Sequence, residues 1–170
     1  MDDRVFQIPV QRSISIPVKI KRLRPEAIIP KKEFPDSGGY DLYLSQDAYV
    51  PARSGSTIPL GFAVELPIGV GMFPFSRSGI CIKGVEGWSS REAWEHGISS
   101  WRYDCKIRLG LVDADYRGEC ALLIDNDDEE FFIPAGMSIG QCVFLPLLYA
   151  EFEETDCLSP SLRGQQGFNS

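Results

Sequence analysis

The sequence predicts an all-β fold: an antiparallel sandwich, jelly roll or barrel. Apolar residues recur with period two, turn residues fall between those runs, and neither an internal repeat nor a long amphipathic helix interrupts them. Period-two spacing puts the apolar set on one face of a strand. Many short strands with frequent turns favour antiparallel architectures.

The first run alternates Val18 and Ile20 with Lys19 and Lys21. Turn chemistry follows at Pro35-Asp36-Ser37-Gly38-Gly39 and again from Pro51 to Gly55. Ile58, Leu60, Phe62, Val64 and Leu66 form the longest series, closed by Pro67-Ile68-Gly69. The stretch from Ser89 to Gly97 departs from this pattern and predicts a short helix. Ser89 caps it, Glu92 completes a capping box and Gly97 stops it. It lies within residues 84–104, which hold all three tryptophans, Trp88, Trp94 and Trp101. Cys105, Ile107, Leu109 and Leu111 then alternate with Lys106, Arg108 and Gly110, and Cys120, Leu122 and Ile124 make a shorter run. Pro134-Ala135-Gly136 is the last turn signal. Residues 158–170 are rich in Ser, Gly, Pro and Gln and, on composition, read as a polar, frayed terminus.

The 170 residues fit a single domain, 1–170, with 44% hydrophobic and 24% charged residues. A chain of this length buries enough surface to fold without a disulfide or metal staple. Seventeen basic against twenty-four acidic residues give a net charge of −7, the wrong sign for a general binder of nucleic acid or anionic membrane. Any phosphate is therefore handled by a few placed Arg and Lys residues. The cysteines Cys81, Cys105, Cys120, Cys142 and Cys157 are odd in number and form no CxxC pair. Four have apolar neighbours, as in Cys81-Ile82 and Cys142-Val143-Phe144, and are expected as core residues of a reducing compartment. The start, Met1-Asp2-Asp3-Arg4, lacks a secretory pattern, and no apolar run approaches the ~20 residues of a membrane span. A soluble intracellular protein is expected. His96 is the only histidine, which argues against a His-based zinc site or a serine-type triad.

Three glycine-bounded segments hold the candidate site residues: Ser37 to Leu42, Phe75 to Ile80, and Gly110 to Glu119. In the last, Asp113 ends an apolar strand, where partial desolvation suits a general base. The plainer alternative makes Asp113 and Asp115 turn residues, and local composition favours it. Arg77-Ser78-Gly79 offers a fork of donors, a hydroxyl and a closely approachable backbone, as phosphate binding requires. It could equally be a surface loop. Neither a Walker A sequence nor a GxGxxG is present.

Taken in order, five segments resemble one family. They are Gly39-Tyr40-Asp41-Leu42, Ser76-Arg77-Ser78-Gly79, Gly110-Leu111-Val112-Asp113-Ala114-Asp115-Tyr116-Arg117-Gly118, Ile139-Gly140-Gln141 and Arg163-Gly164-Gln165-Gln166-Gly167-Phe168. They are similar to the five motifs of the trimeric dUTPases, over residues 17–170. The resemblance implies a distorted jelly roll or β-barrel subunit with a flexible C-terminal arm at 158–170, to which this chain adds the short helical insert at 84–104. It implies a homotrimer with sites shared between subunits. The implied reaction is water attack on the α-phosphorus of dUTP, giving dUMP and pyrophosphate, limiting uracil in DNA and supplying dUMP for thymidylate synthesis.

By that resemblance Asp113 orients and deprotonates the water, and Tyr116 packs under the deoxyribose where a 2′-hydroxyl would sit. The backbone before Asp113 reads uracil. Arg77, Ser78, Gly79 and Gln141 hold phosphate. Arg163 with Gly164 clamps the γ-phosphate, Phe168 stacks on uracil and Ser170 reaches the phosphate chain. Mg²⁺ is the implied cofactor, held by substrate phosphates and water, with Asp41 either holding one such water or bracing the site. Gln166 and Asn169 stand where glycines are usual, Phe75-Ser76 replaces the commoner proline before Arg77, and the stretch between Ser78 and Asp113 is long. These departures point to a virus-encoded or otherwise divergent member. Two alternatives stand beside hydrolysis. One is a binding or signalling protein on the same scaffold, with a protein partner at the 84–104 insert. The other is a related deoxycytidine-nucleotide deaminase. For the tryptophans, packing of the insert onto its own domain is preferred over a partner site.

Overall fold

The computed structural model describes residues 15–166. The chain runs β1 (Lys19–Arg22), β2 (Tyr40–Tyr43), β3 (Ala48–Val50), β4 (Ser54–Pro59), β5 (Phe62–Glu65) and β6 (Val70–Phe75). Helix α1 (Ser78–Lys83), β7 (Val85–Gly87), helix α2 (Arg91–Glu95), β8 (Trp101–Tyr103) and β9 (Cys105–Ile107) follow. The last strands are β10 (Ala121–Asn126), β11 (Phe131–Ile133) and β12 (Ser138–Pro146). Every strand pairing is antiparallel: β2–β12–β6, β4–β10–β9, β1–β5, β3–β11 and β7–β8. The fold is all-β, as the sequence predicts; of its two short helices only α2 falls where the sequence predicts one.

Alternation works as expected in β10, where Leu122, Ile124 and Asn126 face inward and Leu123 faces out. These inward faces meet Leu42, Leu60, Phe62, Met72 and Phe131 in one core. The series from Ile58 to Leu66 is also buried throughout, but it is not one strand. Gly61 adopts φ +79°, and a Cβ there would lie 2.7 Å from the Ser45 side chain. The left-handed backbone turns a corner, so β4 pairs with β10 while β5 pairs with β1.

The series from Cys105 to Leu111 divides differently. Cys105 and Ile107 enter the core, whereas Leu109 and Leu111 are exposed. After Ile107 the chain crosses towards β6. Gly110 N–H donates to the Pro74 carbonyl at 2.9 Å, and Val112 exchanges two backbone hydrogen bonds with Met72 at 3.1 and 2.8 Å. Cys105, Cys120 and Cys142 are buried, while Cys81 and Cys157 are exposed. Cys81 is therefore not core despite its apolar neighbour, because α1 turns it outward.

Helix α1 has no sequence signature, since six residues are too few to show a helical period. Gly84 ends it with φ +76°, where any Cβ would collide with the Tyr103 carbonyl oxygen. In α2 the cap is Ser90, whose Oγ accepts from Ala93 N–H at 3.1 Å. Glu92 then stands second in the helix, one place too early for the expected capping box with Ser89. Gly97 stops the helix as expected, at φ +69° with its N–H on the Trp94 carbonyl.

Within the insert α2 packs on the body through Trp94 and Arg91 against Phe132. Its flanks form the β7–β8 hairpin, Val85 and Tyr103 are buried, and Tyr103 stacks on Phe131 at 4.2 Å. Trp88 exchanges two backbone bonds with Phe132, at 2.9 and 2.7 Å, and its indole N–H donates to the Ile98 carbonyl. Trp94 packs against Phe132 at 5.9 Å, and Trp101 is 69% exposed. Among the described residues no helix is long and apolar enough to cross a membrane.

Candidate active site

Strand β12 lies between β2 and β6 and carries Gln141 into register with both Asp41 and Phe75. Residues opposed in an antiparallel pair present side chains to the same face. Asp41 and Gln141 thus stand together, just where β6 runs out into Ser76-Arg77-Ser78-Gly79. Asp41 is only 7% exposed, and its carboxylate lies 3.5 Å from Arg77 Nε. Arg77 Nη1 donates to Ser138 Oγ at 3.0 Å, so strand β12 fixes the guanidinium from its other side. The Gln141 side-chain amide donates to the Ser76 carbonyl at 3.4 Å. Ser76 is buried and its hydroxyl bridges Ile107, accepting from the N–H at 2.7 Å and donating to the carbonyl at 3.1 Å. The loop is therefore pinned at its start, leaving Ser78 and Gly79 exposed beyond Arg77.

The segment holding Asp113 lies elsewhere on the same strand. Val112 pairs with Met72, whereas Arg77 follows β6 five residues further on. At roughly 3.3 Å per residue that separation is about 16 Å along the strand. Asp113 is exposed in the single chain, as is Tyr116 at 47%. Tyr116 lies across Gly118, where a Cβ would collide with its ring, and its hydroxyl donates to the Glu119 carbonyl at 3.2 Å.

Glu119 holds the end of this loop. Both its carboxylate oxygens accept from the Arg24 guanidinium, and Oε1 also accepts from Gly61 N–H at 2.8 Å. Arg24 first, then the Gly61 N–H, holds its carboxyl below the usual value against the opposing effect of burial. Ser138 and Arg24 were not among the sequence-predicted site residues, and Ser76 and Glu119 lay in the candidate segments without an assigned role. Ser138 lies three residues before Gln141, but a lone strand serine carries no signal.

Among the described residues the arm contributes nothing to this cluster within the single chain. Arg163 Nε donates to the Gln166 carbonyl at 2.8 Å, and Gly164 N–H bonds Ser161 inside the same turn. Phe168 and Ser170 lie outside the described residues. Among the described residues there is no group of three or more His, Cys, Asp or Glu able to hold a metal ion.

A family model described as dUTPase matches residues 25–94 and 96–170. The chain belongs to the dUTPase family. It is 32% identical over 153 residues to the deoxyuridine 5′-triphosphate nucleotidohydrolase of Arabidopsis thaliana, covering 89% of this chain and 81% of that one. It is 36% identical over 162 residues to the enzyme of that name from Desulfitobacterium hafniense, covering 92% and 96%. Among solved structures, Staphylococcus bacteriophage 80alpha dUTPase with dUpNHpp superposes with a TM-score of 0.74 at 22% identity, covering 89% of this chain and 96% of that one. A dUTPase from phage phi11 of S. aureus, described with a structural Mg(II) ion, gives 0.69 at 18% identity over 85% and 99%. These last two likenesses concern the fold of this dUTPase family member. With its motifs in family order, the dUTPase chain divides them spatially: Asp41, Arg77 and Gln141 meet, while Asp113 and Tyr116 stand apart.

Proposed function

We propose that this dUTPase cleaves dUTP to dUMP and pyrophosphate in a site completed by neighbouring subunits of a homotrimer. The carrying observation is the division of its site residues along β6. About 16 Å of extended chain, at roughly 3.3 Å per residue, separates Arg77 from the register of Asp113, which favours their delivery to one nucleotide by different subunits. The same residues from different subunits can meet at one nucleotide. The names of the curated relatives support the substrate.

In this reading Arg77, Ser78 and Gly79 hold the phosphates, and Gln141 adds an amide contact. Arg77 arrives pre-set between Asp41 and Ser138, so little side-chain entropy remains to be lost on binding. Asp113 accepts a proton from water as the water oxygen bonds the α-phosphorus and the bond to the bridging oxygen breaks. This carboxylate is exposed in the single chain, open to a neighbouring subunit. Tyr116, seated on Gly118, supports the deoxyribose and crowds out a ribose 2′-hydroxyl. The arm closes the site, with Arg163 and Gly164 at the γ-phosphate, Phe168 on uracil and Ser170 at the phosphate chain.

Mg²⁺ bound to the substrate phosphates would supply charge neutralisation there. A single buried carboxylate at Asp41 fits orientation of one metal-bound water better than a protein-only cage. The product serves thymidylate synthesis and the substrate's removal limits uracil in DNA, which suits a soluble intracellular enzyme. The test is pyrophosphate release from dUTP, dCTP, dTTP and UTP by purified protein with Mg²⁺. Release from dUTP alone, without ammonia, is expected. Ammonia from a cytosine nucleotide would establish deaminase chemistry instead, and binding of dUTP without turnover would favour the signalling scaffold.

A further inference from the structure

A cavity of about 320 Å³ adjoins the phosphate loop, and Asp113 is not among its lining residues. Arg77 and Gly79 form one wall, Ser138 another, and three further charged residues complete it: Lys83, Glu86 and Arg102. Lys83 lies in the last turn of α1 and has no ion-pair partner among the described residues. Arg102 and Glu86 come from the insert, as a directly opposed pair on β8 and β7. Arg102 Nη2 donates to Glu86 Oε2 at 2.8 Å, while Glu86 Oε1 accepts from Ser100 Oγ at 2.7 Å. Both oxygens of Glu86 are thus engaged, but a guanidinium carries five N–H donors. The cavity lining therefore carries three cations and one carboxylate, with Asp41 beside Arg77 at 3.5 Å just behind it, in a chain whose net charge is −7.

Position matters as much as sign. The hairpin is clamped to the body by the Trp88–Phe132 backbone pair and the Tyr103–Phe131 stack, so Arg102 is presented from a fixed backbone. A single phosphate needs no more than Arg77 and the loop behind it. Cations continuing past Gly79 suit an anion that itself continues.

We propose that Lys83 and Arg102 extend the phosphate loop into a polyphosphate pocket, which takes the terminal phosphates of the nucleotide and then the pyrophosphate released from it. The insert thereby serves the anion rather than a protein partner. The identity of the anion rests on the hydrolysis reading above, but its chemical class rests on the three cations alone.

The experiment is calorimetric titration of the full chain with pyrophosphate, and separately with dUMP. Arg102→Ala and Lys83→Met should each weaken pyrophosphate binding about tenfold or more, the usual scale for a lost charge-assisted hydrogen bond, with dUMP binding unchanged. Arg102→Lys should retain most of the affinity and guards against a variant that fails to fold. Glu86→Gln decides between pocket and brace, because the two give opposite signs. Removing the carboxylate from a cation pocket should tighten pyrophosphate binding severalfold, whereas breaking a brace would weaken it as Arg102→Ala does. Wild-type affinity in Arg102→Ala, or parallel losses in Arg102→Ala and Glu86→Gln, would overturn the proposal. Binding to the wild type that falls in Arg102→Ala supports the pocket even if dUTP is not cleaved, a result that would sink only the hydrolysis reading.

Discussion

Asp113 follows Val112, the backbone partner of Met72, and its carboxylate is exposed in the single chain. Asp113→Asn keeps the shape and removes the proton acceptor. Turnover of dUTP should fall by roughly 10²–10⁴-fold with nucleotide affinity largely kept, measured by single-turnover hydrolysis beside equilibrium binding. Wild-type turnover in that variant would remove Asp113 from the role. Asp113 was legible in sequence only through the company of the other motifs, since alone it reads as a turn residue. Glu119 was not legible, because its partner Arg24 lies 95 residues away. Its lowered pKa makes a signed prediction. The ionised form stabilises the fold above the unfolded value of about 4.5, and that contribution is lost as pH falls through the lower folded value. The difference in Tm between wild type and Glu119→Gln should therefore be full near neutrality and close in acid, starting below about pH 4.5. A difference that persists undiminished at pH 3 would mean that the charge on Glu119 does not stabilise the fold.

At the scale of elements, apolar alternation disclosed which residues are buried more reliably than where strands end. Ile58 to Leu66 is one series to the eye and two strands in space, because Gly61 turns the chain without exposing the flanking residues. Leu109 and Leu111 continue a period that the chain has already left to reach β6. The insert was legible as an addition but not as a hairpin, since Val85 and Tyr103 sit at opposite ends of it and only meet through pairing. That pairing decides what can be removed. Replacing residues 89–99 by a short Gly/Ser turn exposes Phe132 but keeps β7, β8 and the Tyr103–Phe131 stack. A folded protein with a lowered Tm and measurable dUTP cleavage is expected. Replacing all of 84–104 removes Val85 and Tyr103 from the core, and loss of two large buried side chains costs about 4 kcal/mol or more. That variant should lose its cooperative thermal transition. Equal stability of the two deletions would show that the hairpin is dispensable.

For the whole molecule, the division of the site along β6 predicts function only in assemblies. A chain ending at Ser161 should assemble as a trimer by light scattering yet cleave dUTP poorly, lacking Arg163 and Phe168. Mixing it with Asp113→Asn should restore part of the activity, since a mixed trimer can join an arm from one protein to an Asp113 from the other. No recovery after verified subunit exchange would exclude a shared site. Such sharing is invisible to strand periodicity, which records what each residue meets in its own chain. The cysteines lend the same fold a use as a reporter. Burial pushes the Cys105 and Cys142 thiols up to about 12 and Cys120 up to about 11, while Cys81 and Cys157 stand in solvent. An alkylating reagent should therefore consume two equivalents at once and the remaining three only as fast as the core opens. The slow phase would time the opening of β9, β10 and β12 in the native protein, without an added probe.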